Sequence, residues 1–126
     1  MVSVFVPEIS IVSGRNTITI PELTEDIFNN GFVIGYTTVS GNTNIWESIP
    51  VILRSGDVVL DITQIRVGEL DLDSTINDFL DFRFVLVAGT SSTGKSAKRV
   101  VLSELKNAGI NIKNYEEVMA YFSLEY

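Results

Sequence analysis

The sequence predicts a mainly β protein: one antiparallel, β-sandwich-like domain of about six to eight strands, with short helices after residue 21 and at the C-terminus. Three observations carry this. Short runs rich in β-branched and aromatic residues alternate polar with apolar, the period-2 mark of a strand with one face buried. Only a few Gly, Ser, Asn or Asp residues separate most of them, whereas a parallel crossover needs about a dozen. Helical spacing is confined to a short stretch after Pro21 and to the last third of the chain.

Thr17, Ile18, Thr19 and Ile20 alternate and are stopped by Pro21. Thr24 is placed to cap a short helix with Glu25 and Asp26 in its first turn, and Gly31 to end it in the left-handed conformation. Residues 32–39 form a strand and run into a hairpin-like turn at 40–43, and residues 45–53 form the return strand. Pro50 marks that return strand as an edge or a bulge, since it has no N–H for the ladder. After a turn at 55–57, Val58, Leu60 and Ile62 share one parity while Ile65 and Val67 take the other. A bulge near Thr63 and Gln64 keeps both sets inward.

Residues 69–78 read as an acidic connection, and Phe82, Phe84 and Leu86 alternate with Arg83, Val85 and Val87 as a further strand. Beyond it, Ala97, Val101, Leu105 and Ala108 fall at near-helical spacing closed by Gly109; a strand over 99–102 is the alternative. Asn114 to Glu117 resembles a capping box opening a C-terminal helix over 114–123, which buries Val118 with Tyr121 or Phe122. Residues 1–126 thus form a single domain, with 1–14 as an N-terminal segment.

Composition narrows the chemistry. With no His and no Cys, disulfides, thiol nucleophiles, His-based triads and imidazole or thiolate zinc sites are excluded. The net charge of −7 makes nucleic acid a poor partner. Residues 95–113 carry Lys95, Lys98, Arg99, Lys106 and Lys113 against Glu104 alone, which reads as a solvated face or, alternatively, a local anion patch. No apolar run approaches the ~18–20 residues of a membrane-spanning helix. The first seven residues show no secretion signal, and a trimmed mature chain would look the same.

Three motifs bear on function. Residues 89–96 match the phosphate-loop pattern, with Gly89, Gly94, Lys95 and Ser96 able to supply backbone donors, the cation and the Mg²⁺ hydroxyl. Such a loop works at the carboxyl end of a parallel sheet, so a Gly/Ser/Thr connection is the preferred reading and a Mg-dependent nucleotide-binding protein the alternative. Asp71, Asp73 and Asp78 offer oxygens for Ca²⁺ without the glycine and terminal Glu of an EF-hand loop, and an acidic solvated turn is preferred. Trp46, Tyr36 and the tyrosines near the C-terminus suggest an aromatic platform for a sugar ring, while a lone Trp in a strand reads first as core or as a cap on the core at a sheet edge; a carbohydrate-binding module is the second alternative.

Several segments together resemble the globular C-terminal domain of secreted or lipid-anchored proteins of Bacteroidetes-type bacteria, often found after a collagen-like tract. They are residues 23–27 with Gly31 and Tyr36, then Trp46 with Ile49 and Pro50, residues 82–87 with Gly89, and residues 115–118 with Tyr121 and Phe122. The resemblance covers roughly residues 16–126 and rests on the order and spacing of these segments. It implies an extracytoplasmic, lipoprotein-like or secreted β domain, with no catalytic residues attached. The expectation is a non-enzymatic domain for assembly, adhesion or ligand display. It takes a protein partner or a second copy of itself and uses no cofactor, and neither a small-molecule nor a glycan ligand is specified.

Overall fold

The computed structural model describes residues 2–39, 46–87 and 103–121. Among these residues, eight strands form two antiparallel four-stranded sheets. They are β1 (Val2–Ile11), β2 (Gly14–Thr19), β3 (Phe32–Val39), β4 (Glu47–Ser48), β5 (Val51–Ile52), β6 (Val58–Arg66), β7 (Glu69–Ser74) and β8 (Asp78–Val87). The first sheet has the order β1-β8-β3-β4 and the second β2-β7-β6-β5. Helix α1 (Glu25–Asn30) joins the β2 and β3 strands; residues 103–107 are helical (α2), and α3 (Tyr115–Tyr121) follows.

The inner faces meet over Ile11, Ile18, Leu60, Leu70, Leu72, Phe82, Phe84 and Leu86, all buried. A second cluster lies on the outer face of the first sheet, where Ile34, Tyr36, Val85 and Val87 pack under Tyr115 and Met119 of α3. The later part of strand β8 is therefore buried on both faces, which is why residues 84–87 are apolar without a break rather than alternating. On the core side of β3, neighbouring side chains crowd the backbone at Gly35. A Cβ built there would lie 3.1 Å from both Ile49 Cδ1 and Ile62 Cδ1 and 3.3 Å from Phe84 Cε1.

Several local expectations hold. Thr24 accepts the Ile27 N–H at the start of α1 (3.4 Å). The β6 register shifts between Ile62 and Gln64, so Leu60, Ile62 and Ile65 all reach the core, although Val58 and Val67 at the strand ends are exposed. Gly109 is left-handed (φ +76°), with Ile110 N–H on the Leu105 carbonyl and Gly109 N–H on that of Lys106, the paired bonds that close a helix end. Asn114 accepts the Glu117 N–H and starts α3.

Others are corrected. Gly31 is extended (φ −111°), because the chain passes from α1 directly into β3 without reversing. The return strand over 45–53 is two strands, β4 and β5, on edges of different sheets; Pro50, following a cis peptide, breaks the ladder where the chain crosses over. Residues 69–74 of the acidic connection are β7, paired on both sides, with Leu70 and Leu72 inward and their carboxylate neighbours outward. Gly68 (φ +83°) supplies the tight turn that makes β6 and β7 a hairpin. The N-terminal segment holds β1, bulged between Val6 and Ile9. There Glu8 is left-handed (φ +54°) and donates its N–H to the Asp81 carboxylate at 2.8 Å. In α3, Tyr115, Val118 and Met119 are buried, while Tyr121 is exposed. The turn at 40–43, the possible strand at 99–102 and Phe122 lie outside the described residues.

Candidate functional site

The outer face of the first sheet gathers the aromatic residues. Register places Phe5 of β1 and Tyr36 of β3 on either side of Arg83 of β8, so the three form one cross-strand row. Trp46 precedes β4, and Tyr115 opens α3 above the row. The Arg83 guanidinium carbon lies 4.8 Å from the Phe5 ring centroid, 4.9 Å from that of Trp46 and 5.1 Å from that of Tyr115. Its Nη1 donates to the Tyr115 hydroxyl at 2.9 Å. A box of rings around a cation is the arrangement that captures cationic ligands, and here the chain fills it with its own arginine.

Both Trp46 and Tyr36 of the expected sugar platform pack into this box. Tyr36 is completely buried, stacks edge-on against Tyr115 at 5.1 Å, and donates to the Ile112 carbonyl at 2.7 Å. Burial, reinforced by the adjacent Tyr115 phenol, pushes the Tyr36 hydroxyl above the ordinary phenol range, so it remains a donor. Trp46 is partly buried, with one face toward Arg83 and edges against Phe5 and Tyr115. The arrangement pins the segment around α3 onto the sheet. Sequence reasoning names Trp46, Tyr36 and the C-terminal tyrosines, Tyr115 among them, but misses Phe5 and Arg83. The one available signal is a charged residue in the middle of a strand that is apolar on both faces.

The three candidate calcium ligands are not brought together. Asp71, on the outer face of the second sheet, is only 2% exposed and takes both terminal nitrogens of Arg66, each at 2.7 Å, plus the Thr17 hydroxyl at 2.8 Å. Asp73 is exposed and lies 3.9 Å from Arg15. Asp78 belongs to the other sheet and accepts the Phe79 N–H. Among the described residues no group of three His, Cys, Asp or Glu is placed to hold a metal ion.

The hydrogen bonds from Arg66, and secondarily that from Thr17, hold the Asp71 carboxyl well below the usual carboxylate range. A depressed folded pKa contributes stability that is complete above the unfolded value of about 3.9 and is lost as pH falls through the lower folded value. The urea midpoint of the wild type is therefore expected to drop as the pH is lowered from about 5 to about 2, and Asp71→Asn to drop less steeply. Equal slopes for the two proteins would show that this carboxylate does not set acid stability.

The phosphate-loop residues Gly89, Gly94, Lys95 and Ser96 lie outside the described residues. The strand leading to them, β8, runs antiparallel to both of its neighbours. Asp61, the acidic residue that a permuted nucleotide site would need nearby, stands on β6 in the other sheet, opposite Asp73. A phosphate loop takes its geometry from the carboxyl end of a parallel sheet, and β8 offers none.

A third feature lies on the sandwich edge. Ile52 of β5 and Val58 of β6 are cross-strand partners with 55% and 46% of their surface exposed, and Leu53 beside them is 53% exposed. They adjoin a groove of about 450 Å³ along Pro50–Leu53 that Glu47 and Lys113 also line. The β5 strand pairs only with β6, so its other backbone edge has no partner strand among the described residues.

Fold and surface together define an antiparallel β-sandwich domain whose outer face is capped by its own C-terminal helix and whose short edge is apolar. No family model matches the chain, and neither a curated protein nor a solved structure matches it. No described helix is long and apolar enough to cross a membrane.

Proposed function

We propose that this chain is a non-enzymatic, extracytoplasmic domain for assembly, adhesion or ligand display, and that it associates with a second copy of itself through the edge formed by β5. The carrying observation is the apolar corner of Ile52, Leu53 and Val58 on a two-residue edge strand. A stable fold normally shields such an edge with charge or covers it, because an open strand edge beside apolar side chains recruits another chain. Glu47 and Lys113 both line the adjoining groove, so the apolar corner is bordered by one charge of each sign. The cell-envelope or secreted setting rests on the resemblance carried by residues 16–126.

Sedimentation equilibrium tests the association. The wild type is expected to show a concentration-dependent dimer in the micromolar range, and Ile52→Lys combined with Leu53→Lys to be monomeric with an unchanged circular dichroism spectrum. A wild type that stays monomeric at high micromolar concentration removes the assembly reading.

A further inference from the structure

The inner faces of the two sheets do not meet everywhere. At the end of the sandwich where β3 finishes and β8 begins, a cavity of about 260 Å³ opens between them. Two cross-strand pairs wall it from opposite sheets: Val39 with Leu80, and Val51 with Leu60. Leu60 and Leu80 are buried at its base, while Val39 and Ile76 stand exposed around its mouth. The space exists because β4 and β5 close this side of the sandwich with only two residues each.

The polar groups at the cavity are sharply biased. Among the described residues, Glu47 is the only charged one lining it. Its cross-strand partner Thr37 shares its face and donates its hydroxyl hydrogen to the Asp81 carbonyl at 3.0 Å, leaving the hydroxyl oxygen as an acceptor. An apolar chamber with a carboxylate and a hydroxyl acceptor at its rim favours a cation and disfavours an anion.

We infer that this cavity is a binding site for a small amphiphilic cation. The ligand class is a primary ammonium carrying an apolar body, the ammonium held by Glu47 and the body seated between Leu60 and Leu80. A dry cavity of about 150 Å³ holds a benzene-sized molecule, so this one admits roughly ten non-hydrogen atoms. The site shares Glu47 and Val51 with the groove beside β5 but not Ile52 or Leu53, so the titration is repeated on the monomeric Ile52→Lys, Leu53→Lys variant to keep ligand binding apart from self-association.

The test is a titration of methyl-labelled protein followed by NMR, with 2-phenylethylammonium as probe and 2-phenylethanol as its neutral counterpart. Saturable shifts of the Leu60 and Leu80 methyl resonances are expected with a dissociation constant on the order of 1 mM or below. The alcohol is expected to bind about tenfold more weakly, because it lacks the charge-assisted bond. Glu47 is exposed, so Glu47→Gln is expected to fold normally and to bind the ammonium no better than the alcohol. Ile76→Trp, which fills the mouth from an exposed position, is expected to abolish binding of both. The inference is overturned by any of three results: no saturable shift of these methyls up to about 10 mM probe, equal affinity for ammonium and alcohol, or unchanged affinity in either variant.

Discussion

Replacing Tyr115 with alanine is expected to lower the unfolding free energy by about 3–5 kcal/mol, the range for removing a large aromatic from a fully buried position. The argument is more than one of volume. Tyr115 is 1% exposed and belongs to several interactions at once, among them the edge-on contact with Tyr36, the tilted contact with Trp46, the guanidinium of Arg83 over its ring, and the hydrogen bond that Arg83 donates to its hydroxyl. Removing the ring leaves one wall of the Arg83 box open and uncovers Tyr36 beneath it. Each cation–π contact contributes about 0.5–2 kcal/mol depending on desolvation, so losing the phenol weakens the charge as well as the packing. Tyr115→Phe separates the two parts. It keeps the ring contacts and loses only the hydroxyl, so a cost of about 1–2 kcal/mol is expected. Urea denaturation followed by Trp46 fluorescence reads both variants, because Trp46 shares the box and is the only tryptophan in the chain. If Tyr115→Ala costs less than Tyr115→Phe, or if neither variant changes the midpoint, the box does not hold the C-terminal segment in place.

The same box shows where sequence reasoning reaches its limit. Strands β3 and β8 were legible because each carries its own pattern: β-branched and aromatic residues in a run bounded by turn signals. The bulge in β6 was legible because apolar parity switches within one strand, and the caps of α1 and α3 because Thr24 and Asn114 bond to groups three residues away. These are local facts. The box is assembled from residues 5, 46, 83 and 115, and only the β1-β8-β3 register brings them together. Two strands escaped for physical reasons of their own. In β1, Pro7 and Glu8 interrupt the alternation at a bulge whose acceptor, Asp81, lies on another strand. In β7 the alternation of Leu70 and Leu72 with Glu69, Asp71 and Asp73 is regular, but the density of carboxylates mimics a solvated turn. What makes β7 a strand is Arg66 across the hairpin, which neutralises Asp71 and lets it be buried on the sheet.

Gly35→Val is expected to cost about 2–3 kcal/mol, the upper part of the range for forcing extra carbons into a packed core. Gly35 lies in the middle of β3, where a glycine would ordinarily weaken a strand, so its place there needs a reason. The reason is how closely the core side chains approach it. The first added carbon meets Ile49, Ile62 and Phe84 at 3.1–3.3 Å, and these three come from the β4–β5 crossover, from β6 in the opposite sheet and from β8. The carbonyl of Gly35 also accepts the Ile49 N–H at 2.9 Å, so the strand cannot back away without breaking the contact that anchors the crossover. Gly35→Ala is expected to be milder, about 1 kcal/mol, since the ends of two isoleucine side chains need move only a few tenths of an ångström. Coupling with Ile62 isolates the cause. Ile62→Val removes the Cδ1 that faces Gly35 and alone should cost about 0.5–1.5 kcal/mol by loss of buried volume. Combined with Gly35→Val, it is expected to recover about 1 kcal/mol relative to the sum of the two single changes. Additive costs in that double-mutant cycle would mean that backbone propensity, rather than close packing against Ile62, requires glycine at this position.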